Sequence, residues 1–219
     1  MPRTLCHVFA MFLLTTTAYA GEWKLPQKST FVVVTNKAGI AKAAAHDHVI
    51  SAKSYTSDFW YKDGKVGGSI VINAKDLEVD SWPLVKELSP ELVKLGLVEE
   101  APSQISEGDR KTIKANMLDK DQLWEKKYPK IQAWAKGLKK EPASIAKFKG
   151  NSKLLVKLSV RDATNEKWVP CQIEWGSYDA LCVGEYSFKA LGIEPYSALL
   201  GAIANADKFY LYLKTKLKK

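Results

Sequence analysis

The segment Tyr61-Lys62-Asp63-Gly64-Lys65-Val66 sets Asp-Gly between two apolar runs, and no other stretch of the 219 residues restricts the fold as tightly. A two-residue hairpin turn of this kind requires positive φ at both central positions, which Asp and Gly tolerate. With Asp63 and Gly64 as the loop, Tyr61 faces Val66, Phe59 faces Gly68, Ser57 faces Ile70 and Tyr55 faces Ile72. Those residues share one face, while Lys62, Lys65, Asp58 and Ser69 share the other. One side of the hairpin is therefore a core or cavity wall and the other is wet.

A second hairpin follows from Trp175-Gly176-Ser177-Tyr178, because Gly-Ser suits a two-residue turn with glycine first. Trp175 then faces Tyr178, Ile173 faces Ala180, and Cys171 faces Cys182, with Gln172, Glu174 and Asp179 on the reverse face. This phase makes the cysteines a hydrogen-bonded pair with Cα atoms about 5.5 Å apart, workable for a disulfide but strained. Two buried free thiols are the alternative. Continuing outward, the inward face reads Tyr178, Ala180, Cys182, Gly184, Tyr186, Phe188, and the small residues in its middle leave room.

Further strands are expected at Phe31–Thr35, Ala45–Tyr61, Val66–Val79, Tyr128–Leu138, Ser144–Val160, Trp168–Trp175 with its partner, and Lys208–Leu217. Gly67-Gly68 marks a bend or close approach within its strand. Between the hairpins the period changes. Leu84, Leu88, Leu92 and Leu95 recur at helical spacing from Pro83 to Val98, interrupted at Ser89-Pro90-Glu91. Ser106 caps a second helix reaching Trp124, with Ile113, Met117 and Leu118 as its apolar stripe. The pattern is about eight alternating strands with one helical insertion, at about 83–125, and fits an up-and-down barrel whose interior holds one apolar ligand. A sandwich fits nearly as well.

The first twenty residues, from Arg3 through Val8–Leu14 to Ala18-Tyr19-Ala20, read as a secretory leader, so the mature chain is expected to begin near Gly21, outside the cytoplasm. Cys6 would leave with that leader. Lys and Arg number 33 against 24 Asp and Glu, a net charge of +9 that becomes +8 without Arg3. The lysines are scattered except for the terminal Lys214–Lys219, as on a solvated surface, and an exported protein seldom meets nucleic acid. No nucleic-acid partner is expected.

Ala45-His46-Asp47-His48-Val49-Ile50 carries two of the three histidines. Residues two apart on a strand share a face, so His46 and His48 should look inward with Ile50 and Ala52, leaving Asp47, Ser51 and Lys53 outside. The inward set shifts to odd numbers by Tyr55, which calls for a bulge between Ser51 and Tyr55. A catalytic zinc site needs a third ligand and an open position, and the mature chain has no further histidine. No Gly-x-Ser-x-Gly elbow or reactive-cysteine signature accompanies the pair, so no enzymatic activity and no cofactor are expected. A metal- or haem-binding envelope protein built on His46 and His48 is the rival reading.

Four stretches, "GEWKLPQKSTFVVV", "AHDHVI", "YPKIQAW" and "YSFKALGIEPYSALLGAIANADKFYLYL", together resemble the YceI family of exported, lipocalin-like proteins, and "AHDHVI" matches its subgroup with a His-Asp-His strand. The resemblance runs from about Gly21 to Leu217. It implies an all-β, eight-stranded antiparallel lipocalin-like barrel in the periplasm, whose elongated cavity binds a polyisoprenoid or other long-chain amphiphilic lipid non-covalently. Two departures stand out. Asp162–Glu166 replaces the family's Gly-Thr turn, which affects the local loop, and the Cys171/Cys182 pair is not a family hallmark. Inward alternation nominates Phe31, Val33, Tyr55, Phe59, Ile70, Trp134, Ile173, Trp175, Tyr186 and Phe188 as ligand-lining residues, with His46 and His48 as polar contacts. A transient contact with an anionic membrane surface and a homodimer are further partners left open.

Overall fold

The computed structural model describes residues 23–26 and 28–218. The secretory leader and Cys6 lie outside the described residues. Eight strands make up the barrel. They are β1 (Thr30–Ala38), β2 (His48–Ala52, Thr56–Ser57 and Trp60–Lys62), β3 (Lys65–Gly67, Ser69–Asn73 and Leu77–Val79), β4 (Lys130–Lys139), β5 (Ser152–Val160), β6 (Ala163–Glu174), β7 (Asp179–Ser187) and β8 (Ile203–Lys216). Each pairs antiparallel with the next, and β8 returns to β1. The ladders β3–β4 and β8–β1 close the ring, so the sheet is a lipocalin-like barrel and not a sandwich.

The interrupted pair β2–β3 is one long hairpin. Its tip has the expected register, with Tyr61 opposite Val66 and Ser57 opposite Ile70. Asp63 and Gly64 take φ of 49° and 78°, as the turn requires. The bulge expected between Ser51 and Tyr55 is a full break: β2 leaves its ladder after Ala52 and resumes at Thr56, while Lys53 N–H donates to Asp76 O. Gly68 breaks β3 with φ of 98°, and a Cβ there would sit 2.4 Å from Asp58 O. Only glycine fits that approach.

β1 shows why its sequence is apolar at successive positions rather than alternating. Phe31, Val33 and Thr35 face the lumen, whereas Val32 and Val34 are buried on the outer face beneath helix α1 (Trp82–Lys94). A strand covered on both sides reads as a continuous apolar run. Val85, Leu88 and Leu92 of α1 pack there with Val49, Val183, Tyr210 and Tyr212. Each such buried aliphatic contributes about 1.5–3 kcal/mol. The expected interruption at Pro90 does not occur. Pro90 is exposed, and its missing N–H would have served Lys86, whose residue is also exposed. Beside it Ser89 Oγ donates to Val85 O, and Glu91 accepts from Tyr212 OH and Lys214 Nζ of β8. Packing carries the helix through.

Helix α2 (Glu107–Leu118) is capped by Ser106, whose Oγ accepts from Asp109 N–H, and it ends short of the expected Trp124. It crosses one end of the barrel, where Asn116 and Gln122 bond to Tyr196 and to Glu194 O.

The second hairpin keeps the expected register, with Cys171 opposite Cys182, but its loop is four residues long. Tyr178 N–H donates to Glu174 O, and Tyr178 itself has φ of 58°. Lengthening the loop at constant register moves the hydrogen-bonding phase by one pair. The cysteines become a close, non-hydrogen-bonded pair with Cα atoms 4.1 Å apart, joined as a disulfide. The wider spacing expected from a two-residue loop is thereby corrected.

Candidate functional site

The barrel encloses a cavity of about 460 Å³, within the range that takes a small-molecule ligand. Inward-facing residues of all eight strands line it, as the period of two demands. Of the twelve residues nominated from sequence, Phe31, Val33, His48, Phe59, Ile70, Trp134, Ile173, Trp175, Tyr186 and Phe188 lie on its wall. The disulfide forms part of the same wall. Among the described residues, no Lys, Arg, Asp or Glu lines it.

The ends of the cavity differ. At one, rings gather from three elements: Trp23 stacks on Tyr178 with centroids 3.7 Å apart, and Tyr61 lies 5.7 Å from Trp175 and 5.9 Å from Tyr178. Near the other, Ile113, Asn116 and Met117 of α2 and Tyr196 complete the wall. The sequence showed the Ile113/Met117 stripe but not that it faces a lumen, because a helix's apolar face does not name its partner.

Two nominated residues are elsewhere. Tyr55 is buried behind the wall, edge-on to Phe31, and its hydroxyl donates to Pro26 O at 2.5 Å. His46 is exposed, with Nδ1 3.5 Å from Ser103 Oγ. Asp47, expected outside, is buried and accepts the Lys37 N–H at 2.7 Å. These two corrections have one cause. The β1–β2 ladder ends where Thr35 meets His48, so residues 46 and 47 precede the strand and its alternation does not govern them. Burial pushes the Asp47 carboxyl above its ordinary range, against the opposing pull of the Lys37 hydrogen bond.

His48 keeps its inward place through a residue that sequence reading missed. Asp80 lies between β3 and α1 at φ of 48°, a conformation that Asp tolerates better than most residues. Its Oδ2 is 2.7 Å from His48 Nδ1, and its Oδ1 accepts the Val49 N–H at 2.7 Å. A carboxylate beside Nδ1 accepts the proton there, which leaves Nε2 as the ring's remaining hydrogen-bonding atom. No local signal marks Asp80, whose partners are more than thirty positions away. Among the described residues no group of three or more His, Cys, Asp or Glu side chains is placed to hold a metal ion.

Neighbouring strands align Tyr186 with Phe209, Phe209 with Thr35, and Thr35 with His48. Thr35 and Tyr186 are each 2 % exposed, and neither Thr35 Oγ1 nor Tyr186 OH has a hydrogen-bond partner among the described residues. Burial raises the Tyr186 phenol far above its ordinary value, so the hydroxyl keeps its proton. The Tyr186 ring leans over Gly184, where a Cβ would meet Tyr186 Cε2 at 2.9 Å and Val169 at 3.1 Å.

No family model matches the chain, and no curated protein matches it. Among solved structures, Burkholderia cenocepacia BcnA overlays with a TM-score of 0.53 at 12 % identity, covering 88 % of this chain and 97 % of BcnA. A Campylobacter jejuni YCEI protein overlays with a TM-score of 0.46 at 11 % identity, over 78 % of this chain and 84 % of that one. A polyisoprenoid binding domain from Saccharophagus degradans gives 0.44 at 8 % identity, over 88 % and 98 %. Across nearly the whole of BcnA, the chain shares that protein's fold.

Proposed function

We propose that this protein binds a polyisoprenoid or other long-chain amphiphile non-covalently inside its barrel, and that it carries or sequesters that lipid in the periplasm. The observation that supports this reading is the cavity wall, built mainly from aliphatic and aromatic side chains of every strand, with no Lys, Arg, Asp or Glu among the described residues that line it. Such a wall offers burial and little else. Each CH₂ withdrawn from water contributes about 0.8 kcal/mol, so about twenty give roughly 16 kcal/mol gross. Micromolar binding, about 8 kcal/mol, survives if association and chain ordering remove half. The leader-like N-terminus and the Cys171–Cys182 disulfide favour an oxidising compartment. The His46/His48 metal reading loses support from the geometry, since His46 is exposed and His48 is engaged by Asp80.

Mass spectrometry of organic extracts from natively purified protein tests the proposal. The expected result is a long-chain lipid near one per chain. Lipid-free preparations that also gain no thermal stability from added isoprenoids would refute it.

A further inference from the structure

We infer that the cavity selects a long-chain ligand whose head is an uncharged, hydrogen-bonding oxygen group, an alcohol or a carbonyl, and rejects the phosphorylated form of the same chain. The inference rests on the lipid-binding reading above and specifies the head that this site takes. It starts from two buried hydroxyls. Thr35 Oγ1 and Tyr186 OH are the buried side-chain polar atoms without a protein partner among the described residues, and both residues line the cavity. A buried polar group left unpaired is costly, so each hydroxyl favours a ligand atom able to pair with it. His48 adds a third polar group on the same wall, its ring held from behind by Asp80.

These groups are a hydroxyl, a phenol and an imidazole. They can donate to a carbonyl or exchange hydrogen bonds with an alcohol. They are ill suited to a phosphate, because among the described residues no lysine or arginine lines the cavity to compensate a dianion removed from water. The protein's lysines do not change this: Lys167, whose Nζ lies 4.7 Å from the Tyr186 ring centroid, donates to Glu185 O and is not among the lining residues, while Lys37 is paired with Glu100, Lys136 with Glu166 and Lys208 with Glu185. Positive net charge on the surface and an uncharged interior thus point to different ligands, and the interior decides what is held within it.

The test uses a twenty-carbon prenyl alcohol, its monophosphate and the parent hydrocarbon, titrated into delipidated full-length mature protein. The alcohol should bind at least tenfold more tightly than the monophosphate and several-fold more tightly than the hydrocarbon. Tyr186→Phe and Thr35→Val should each reduce the preference for alcohol over hydrocarbon by about three- to tenfold and leave the lipid-free melting temperature equal or higher. That last readout separates loss of a head contact from damage to the barrel. Equal or tighter binding of the monophosphate overturns the inference alone, as does an undiminished alcohol preference in both variants. Failure of all three probes to bind overturns the inference together with the lipid-binding reading.

Discussion

Asp47 and His48 are adjacent in sequence, yet their environments are opposite in kind. His48 has a carboxylate partner at 2.7 Å, whereas Asp47 is buried against a backbone N–H. Because burial raises the Asp47 carboxyl in the folded state, folding favours its protonated form. Relative to the unfolded chain, this group's contribution is fully favourable below about pH 4 and is lost as pH rises through the raised folded value. Asp47→Asn retains an oxygen for the Lys37 N–H without the charge. Thermal melts should show the variant more stable than wild type at pH 7, with the difference vanishing near pH 4; a variant less stable at pH 7 would contradict this account. At this scale the sequence was legible where a residue sits well inside a strand, as for Ile50 or Ile173. It was misleading at His46 and Asp47, two and one positions before a strand begins, and silent at Asp80, whose role exists only once β3 and β2 are side by side.

Among the elements, the hairpins were legible because turn chemistry and register are local. Asp63-Gly64 dictates its turn, and the positions facing each other follow by counting. The loop at Trp175–Tyr178 was harder, since two- and four-residue loops give the same facing pairs and differ only in hydrogen-bond phase. That phase sets the Cα separation of Cys171 and Cys182, 4.1 Å as observed. The disulfide links residues 11 apart and so removes about 3 kcal/mol of unfolded-state freedom. Replacing both cysteines by alanine should lower unfolding free energy in urea by about that amount, with the barrel retained by circular dichroism. No change in midpoint would show that the bridge is energetically idle. Helix α1 was misread at Pro90 for a different reason: a proline's local cost of about 3 kcal/mol is real, but three buried aliphatics of the same helix outweigh it.

At the level of the molecule, the count of eight strands depended on treating the broken pieces of β2 and β3 as two arms of one hairpin. Alternation and turn spacing carry that information. They do not say which apolar face meets solvent, a helix or a lumen, and so the outer core beneath α1 and the closure by α2 emerge only in three dimensions. The barrel's consequence is a separation of chemistry: among the described residues no Lys, Arg, Asp or Glu lines the lumen, and apolar side chains with a few polar groups remain there. The central claim is that this interior takes up a long apolar chain. Isothermal titration calorimetry of a twenty-carbon prenyl alcohol at several temperatures, into the delipidated protein, tests it most directly. A one-to-one isotherm with a clearly negative heat-capacity change is the predicted result, as burial of apolar surface requires. A heat-capacity change near zero, or no saturable binding, would contradict it.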